Sequence, residues 1–342
     1  KPYLVPKRNL TKNNLPFPYG NNEPKDTVFA NVDYSKLTAA VNNAFDSKGQ
    51  KKKRSRAVLV IYKDHIIAEK YDTGFTKNSK ILGWSMTKSI TATLFGILQK
   101  QGKYDINKPA PIPEWQKDER KKITTNDLLH MNSGLEWEEA YDKICDATKM
   151  LFIAEDMGRV QLEKPAAFAP NTHWNYSSGT SNLLSYILRK QFKTHQEYLD
   201  FWYAQLIDRI GMHSMLIETD MVGNYVGSSY GWATARDWAK FGLLYLHKGN
   251  WNGDQVFDPS WENYVSTPTN DSKEGYGAHF WLNAGGHFPA APRDMYSCNG
   301  YQGQKVFIIP SLDLVIVRMG LSDEGKYDVN ELLAGVIGSF KK

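Results

Sequence analysis

The sequence is poor in cysteine, with only Cys145 and Cys298 among 342 residues. Two thiols that far apart do not make a disulfide framework, and neither has the spacing of a metal-binding motif. The eight histidines include no HExxH pair, and no paired CxxC occurs. The sequence therefore predicts no zinc site and no other bound metal.

Long apolar runs are also absent, since no stretch approaches the roughly 18 residues that a membrane span needs. No signal peptide is recognisable, but the chain begins at Lys1 rather than Met, so an upstream segment can have been removed. We expect a periplasmic or secreted protein after loss of that segment, with a cytoplasmic location as the alternative.

Charge gives little support for a nucleic-acid partner. The net charge is +5, and the one dense basic run, Lys51–Arg54 followed by Arg56, has no second basic cluster with interleaved aromatics to support it. We interpret this run as a solvated loop before a strand. The oligomeric state is not indicated.

The composition is that of a globular protein, with 41% apolar and 23% charged residues. The length allows a large core and two packed regions. Ten Trp and 19 Tyr are many for this length, and such side chains fill cores and also line pockets.

Hydrophobic patterns predict both helices and strands. They indicate a helix over 34–47, a hairpin of two strands at 57–62 and 65–71, and a helix that begins at Ser85 and ends near Gly102. Several helices joined by loops fill 105–225, and Thr234 with Asp237 resembles a capping box for a helix over 235–246. The end of the chain has strand patterns at 279–283, 305–310 and 312–320, and a helix at 328–340.

This order predicts an α+β fold, an α/β sandwich in which an antiparallel sheet from both ends of the chain is flanked by helices. A mostly helical domain is inserted between the two halves of the sheet. We expect an extended N-terminal arm over 1–33, a sheet domain over 34–84 and 226–342, and a helical domain over 85–225, with Ser85 at the junction.

The sharpest local motif is Ser85-Met86-Thr87-Lys88 at the start of a helix. A helix places residues i and i+3 on one face, so the Lys88 amine can reach the Ser85 hydroxyl. A serine hydroxyl needs such a base to become a nucleophile, and lysine can serve if its pKa is lowered. The backbone N–H groups at the helix start suit a developing oxyanion.

Two further segments carry candidate site residues. Tyr176, in WNYSSG just ahead of a helix, has a phenol that could pass a proton between Ser85 and a leaving group. Gly300-Tyr301-Gln302-Gly303-Gln304 comes directly before a strand, and its glycines allow close backbone approach to a ligand. The backbone N–H of Gln304 is then a candidate second oxyanion donor beside that of Ser85.

Together these motifs resemble the serine β-lactamase and penicillin-binding protein superfamily, in particular its class C-like branch with esterases and 6-aminohexanoate-dimer hydrolases. The family pattern is S-x-x-K, then Y-x-N or Y-x-S, then a Lys, His or Trp-type residue followed by x-G on the last core strand. The corresponding residues here are Ser85/Lys88, Tyr176/Ser178 and Tyr301/Gly303. Further stretches at 128–139, 170–184, 227–246, 276–283 and 308–320 look like this branch. The resemblance covers roughly 35–340 and implies a β-lactamase/transpeptidase-like fold.

The chain departs from the family pattern at two positions. Position 178 is Ser where β-lactamases have Asn, and position 301 is Tyr where they have the Lys that holds the substrate carboxylate. Both departures favour the esterase and amide-hydrolase members. Tyr141 stands where nylon-oligomer hydrolases carry a substrate-contacting tyrosine. By this resemblance Ser178, Tyr301, Gly303, Tyr141 and Trp84 are expected to bind substrate.

A rival nucleophile lies in Gly227-Ser228-Ser229-Tyr230-Gly231, which matches the G-x-S-x-G elbow of α/β-hydrolases. His279 or His287 with Asp271 could complete a triad. An elbow needs a strand that runs straight into a helix, however, and the segment before Gly227 is short while the next helix begins only near Thr234.

We therefore expect a serine hydrolase that cleaves a carboxylic ester or a small linear amide through a Ser85 acyl-enzyme, with no metal or organic cofactor. The expected partner is a small-molecule ester, amide or peptide substrate. The alternatives are a β-lactamase or D-Ala-D-Ala carboxypeptidase, or a non-catalytic penicillin or peptide sensor on the same fold.

Overall fold

The computed structural model describes residues 4–323 and 327–341. Within them the helices are α1 Tyr34–Asn43, α2 Thr87–Lys100, α3 Thr125–Leu129, α4 Asp146–Phe152, α5 Met157–Leu162, α6 Ser178–Arg189, α7 His195–Trp202, α8 Ala235–Leu246, α9 Ser260–Ser266 and α10 Val329–Ile337. The strands are β1 Ser55–Tyr62, β2 His65–Tyr71, β3 Ile81–Leu82, β4 Leu216–Ile217, β5 Gly231–Ala233, β6 Asn250–Trp251, β7 Asp254–Gln255, β8 Trp281–Leu282, β9 Tyr296–Gly300, β10 Gln304–Ile309 and β11 Leu314–Gly320.

In the described residues the main sheet has six strands, in the order β2-β1-β11-β10-β9-β8, and each neighbouring pair is antiparallel. The chain therefore builds the sheet from both of its ends, as the sequence predicts. Strands β1 and β11 are adjacent although they lie at opposite ends of the sequence, and Leu59 pairs with Val317.

Helices cover both faces of this sheet. Side chains alternate along a strand, so Val58 and Val60 pack with α1 and α10 on one face, whereas Leu59 and Ile61 belong to the core on the other face. Because both faces are covered, β1 is a continuous apolar run rather than an alternating one.

The larger core is shared between the sheet and the helices that precede β4. It includes Leu59 of β1, Ile90 of α2 and Leu184 of α6, all fully buried. One continuous core of this kind holds α2 in a fixed position against the sheet. The division into a sheet domain and a helical domain at residues 34, 85 and 226 stays a prediction.

Helix bounds agree with the sequence patterns except at some ends. The first helix ends at Asn43 rather than at residue 47, and α2 begins at Thr87, after a 3-10 turn over Trp84–Met86. The Thr234 hydroxyl accepts from the Asp237 N–H, but the Asp237 carboxylate does not return to Thr234, because it accepts from the backbone and hydroxyl of Ser214. The capping box is therefore half formed.

The segment before α1 is mostly without regular structure, and side chains attach it to the body. Arg8 donates to both oxygens of Asp208, at 3.0 and 3.1 Å, and its guanidinium lies 4.1 Å from the ring centre of Tyr203. The Tyr19 hydroxyl donates to Asp64 at 2.9 Å. None of the helices among the described residues is long and apolar enough to cross a membrane.

Candidate active site

Ser85 lies in the tight turn that leads into α2. Trp84, directly before it, has a φ of 48°, a left-handed conformation that is uncommon for a residue with a side chain. The Thr87 hydroxyl donates to the Trp84 carbonyl at 2.8 Å and accepts from the Gly231 N–H at 3.0 Å. The turn is thus bonded to β5, which presents the Ser85 side chain at a fixed, partly exposed position.

The Lys88 amine is buried one helical turn beyond Ser85. Its Nζ donates to Ser85 Oγ at 3.0 Å, to Ser178 Oγ at 3.0 Å and to the Ser228 carbonyl at 2.9 Å. Burial lowers the pKa of Lys88 to about 8, and the charge of Glu139 opposes that shift. A substantial fraction of the amine is then neutral near pH 8, as a general base for Ser85 requires.

Tyr176 lies next to both residues, immediately before Ser177, which caps α6. The Lys88 Nζ is 4.9 Å from the centre of its ring. Burial and then the Glu139 carboxylate raise the pKa of the Tyr176 phenol well above its usual range, while a side-chain hydrogen bond with Ser85 acts in the opposite direction. The phenol therefore keeps its proton at neutral pH and can act as a donor.

Glu139 connects this group of residues, and the sequence motifs do not identify it. Its carboxylate accepts from the Ser178 N–H at 2.6 Å, from Ser178 Oγ at 2.7 Å and from the Trp137 indole at 2.8 Å. The Tyr141 hydroxyl also donates to it. A carboxylate with this many donors is held rigidly, and its charge raises the pKa of Lys88 against the effect of burial.

Ser178 therefore lies between a cation and an anion. It is fully buried, and its hydroxyl accepts from Lys88 and donates to Glu139. The sequence predicts a substrate-binding role for Ser178, and that role stays a prediction. The observed contacts show that its hydroxyl joins Lys88 to Glu139.

The turn between β9 and β10 lies across from the Ser85 turn. Gln302 has a φ of 60° and Gly303 a φ of 81°, and a Cβ on Gly300 would come within 2.1 Å of the Gly83 carbonyl oxygen. Glycine at position 300 thus allows the end of β9 to approach the segment that carries Ser85. The Gln304 side chain exchanges two hydrogen bonds with the backbone of Gly320, which fixes the start of β10.

A cavity of about 1280 Å³ opens onto Ser85 between two aromatic walls. One wall is Trp174, Tyr176 and Trp281, with the rings of Tyr176 and Trp281 5.3 Å apart. The other is Tyr141 and Tyr301, whose ring centres are 5.1 Å apart. Trp84 does not line the cavity, but its ring packs against Tyr301 at 5.8 Å. Of the predicted site residues, Ser85, Tyr141, Tyr176, Tyr301 and Gly303 line the cavity, while Lys88 and Ser178 lie behind it.

The rival elbow does not form a catalytic triad. Ser229 is buried, with its hydroxyl 2.9 Å from that of Ser228, and the segment leads into β5 rather than into a helix. His279 is bonded to the Leu129 carbonyl and to Ser181, and Asp271 pairs with His173. The elbow interpretation is therefore wrong.

The sequence model of the Beta-lactamase family matches residues 41–332. The chain belongs to this family. The fold is β-lactamase/transpeptidase-like, and membership supports a serine-hydrolase function. No curated protein sequence matches the chain.

Solved structures show the same fold in proteins of several activities. The chain is similar to a protein from Bacillus anthracis described as a 6-aminohexanoate-dimer hydrolase, with 21% identity, a TM-score of 0.69, and 84% of this chain and 78% of that chain covered. It is similar to a family VIII carboxylesterase at 15% identity and a TM-score of 0.71, covering 93% of this chain and 100% of that one. A mutant class C β-lactamase aligns at 15% identity and a TM-score of 0.67, covering 91% and 99%.

Replacement of Glu139 by Gln tests the electrostatic role of this carboxylate. Because its charge raises the pKa of Lys88, its loss should lower that pKa further, and the rising limb of kcat/KM against pH should move to lower pH. Loss of the charge-assisted hydrogen bonds to Ser178 should also reduce kcat about tenfold. The measurement is the pH profile of ester hydrolysis by each variant.

The matched control is Glu138→Gln, because Glu138 is exposed and pairs with Lys143 on the surface. This variant should keep the parent profile. A profile of Glu139→Gln that stays in place or moves to higher pH would contradict the role assigned to Glu139.

Proposed function

We propose that the protein is a serine hydrolase that cleaves a carboxylic ester or a small linear amide through an acyl-enzyme on Ser85. The observation that carries this proposal is the 3.0 Å hydrogen bond between Ser85 Oγ and a buried Lys88 whose pKa is lowered to about 8. A serine hydroxyl beside a partly neutral amine is the arrangement that nucleophilic attack requires.

In the proposed acylation, neutral Lys88 takes the proton from Ser85 Oγ as the oxygen attacks the carbonyl carbon of the substrate. The N–H groups of Ser85 and Gln304 would stabilise the oxyanion of the tetrahedral intermediate. Tyr176, which keeps its proton, then donates it to the leaving oxygen or nitrogen, and the C–O or C–N bond breaks. Lys88 returns its proton to Tyr176, so both groups regain their starting states.

Deacylation would repeat these steps with water as the nucleophile. A water molecule loses a proton to the same pair of groups, attacks the acyl carbon and releases Ser85 with a hydroxyl. The aromatic walls of the cavity would limit the access of bulk water and select substrates with apolar parts. They consist of Trp174, Tyr176 and Trp281 on one side and Tyr141 and Tyr301 on the other.

The absence of a cation at position 301 supports an ester or a linear amide over a β-lactam. Tyr301 is 42% exposed, and its ring contacts Trp84 and Tyr141, so this position supplies an aromatic surface. The structural neighbours include a carboxylesterase and a class C β-lactamase, so a β-lactamase or D-Ala-D-Ala carboxypeptidase is the second candidate, and a non-catalytic sensor is the third.

The first prediction from this proposal concerns the nucleophile. Ser85→Ala should abolish turnover in a protein that stays folded, because removal of a covalent nucleophile costs several orders of magnitude in rate. Incubation of the parent with an activated ester should add one acyl mass, located on Ser85 by mass spectrometry. The control is Ser229→Ala, which should remain active. Substantial activity in folded Ser85→Ala would contradict the proposal. Acylation of the parent without turnover would favour the non-catalytic sensor.

The second prediction concerns the proton donor. Tyr176→Phe keeps the ring but removes the hydroxyl, so it should lose about 10²–10⁴-fold in kcat with little change in KM. Steady-state kinetics and a melting curve separate this effect from instability. A variant within about threefold of the parent, or a loss fully explained by a lower Tm, would show that Tyr176 acts only in packing.

The third prediction concerns substrate class. A short-chain 4-nitrophenyl ester should have a much higher kcat/KM than the cephalosporin nitrocefin. A charge-assisted hydrogen bond to a substrate carboxylate contributes about 1.5–3 kcal/mol, which Tyr301 cannot provide. Tyr301→Lys should raise the kcat/KM for nitrocefin relative to that for the ester. A higher kcat/KM for nitrocefin in the parent would assign the protein as a β-lactamase instead.

A further inference from the structure

Lys305 is a cation in the active-site cavity that no motif of the sequence singles out. It follows Gln304 on β10, and its side chain lines the same cavity as Ser85. In the sheet it pairs with Asn299 of β9 on one side and with Arg318 of β11 on the other. Two cations therefore lie directly opposite each other on neighbouring strands, an arrangement that is destabilising without a compensating anion.

Neither cation has a carboxylate partner within ion-pair distance in residues 4–323 and 327–341. The Arg318 guanidinium is satisfied by neutral groups instead: it donates to the carbonyls of Gln302 and Gly303 at 3.1 and 2.8 Å and to the Ser55 hydroxyl at 3.1 Å. Burial, and then the charge of Arg318, lower the pKa of Lys305 to about 8. Among residues 4–323 and 327–341, no carboxylate therefore forms an ion pair with either cation.

Two neutral side chains, Asn299 and Tyr327, line the same part of the cavity as Lys305. With its amide oriented to suit its neighbours, Asn299 donates to Ser297 Oγ at 3.0 Å and accepts from Lys305 Nζ at 3.2 Å. The Tyr327 ring lies 5.1 Å from the Arg318 guanidinium and lines the same cavity. The Tyr327 hydroxyl is buried and has no hydrogen-bond partner among residues 4–323 and 327–341, an arrangement that costs free energy unless a ligand satisfies it.

The carboxylates that line this part of the cavity make other contacts. Asp328 caps α10 by accepting from the Asn330 N–H at 2.8 Å. Asp323 lies 3.8 Å from the Arg54 guanidinium. His287 also lines the cavity here. The described groups around Lys305 therefore offer donors and positive charge to a ligand.

We propose that Lys305 and the Tyr327 hydroxyl bind a carboxylate carried by the substrate, so that the preferred substrates are esters or amides with a carboxylate on the same molecule. This inference rests on the proposed function, because it extends the Ser85 cavity. The residue that would bind the substrate carboxylate is then Lys305, directly after Gln304, rather than the residue at position 301. A lysine that lies between a neutral amide and a like charge has the electrostatic environment of an anion site.

The first test is a binding measurement that does not depend on turnover. Glutarate, a dicarboxylate, is titrated calorimetrically into the parent, Lys305→Met and Tyr327→Phe. The parent should bind it, and Lys305→Met should bind it about ten- to hundredfold more weakly, the loss expected for one charge-assisted hydrogen bond. Tyr327→Phe should show a smaller loss. The control is Lys273→Met, an exposed lysine at the rim of the cavity, which should bind glutarate like the parent.

The second test compares two esters of equal chain length, mono(4-nitrophenyl) glutarate and 4-nitrophenyl pentanoate. The ratio of their kcat/KM values should favour the anionic ester in the parent and fall about ten- to hundredfold in Lys305→Met, with partial recovery in Lys305→Arg.

Glutarate that fails to bind the parent, or that binds Lys305→Met as tightly as the parent, would overturn the inference. So would an equal loss for both esters, which would assign Lys305 to the structure of β10. If neither ester is hydrolysed but glutarate binds through Lys305, the proposed function fails and the carboxylate site stands.

Discussion

The buried Lys88 amine is the group on which the arrangement of the site depends. Removing an amine from water is costly, and here the cost is offset by three oxygen atoms that come from separate parts of the chain: Ser85, Ser178 and Ser228. Those oxygens stay in place only if α2, α6 and the segment before β5 keep their relative positions. The shared core between the sheet and the helices supplies that rigidity.

Two opposing influences then set the proton affinities in the site. Burial lowers the pKa of Lys88 and raises that of Tyr176, while Glu139 raises both. The result is an amine that loses its proton near pH 8 beside a phenol that retains one. Two groups with separated pKa values can take the base and acid roles in one reaction. Glu139 thus adjusts the pKa values of both groups, and the Ser178 hydroxyl holds Glu139 and Lys88 together through a hydrogen bond to each.

The way this protein distributes positive charge differs from the family pattern that its sequence resembles. Tyr301 contributes a ring to an aromatic wall, and Lys305, one residue beyond Gln304 and paired with Arg318 across the sheet, places a cation in the cavity. Because the cation is at position 305 rather than at position 301, the carboxylate of a substrate would be bound at a different place in the cavity. Substrate preference is therefore expected to depend on the distance between the scissile bond and the carboxylate.

The sequence by itself determined the local features: the bounds of α8, the strands at both ends of the chain, and the one-turn spacing of Ser85 and Lys88, because periodicity and i, i+3 geometry act within a few residues. Only the tertiary structure decided which distant groups meet them. Glu139 reaches Ser178 across 39 residues, and nothing in the local pattern distinguishes it from Glu138. Lys305 likewise reads as one polar residue in a strand. The charge of Lys305 can affect substrate binding because strand pairing places the residue opposite Arg318 and because it lines the same cavity as Ser85.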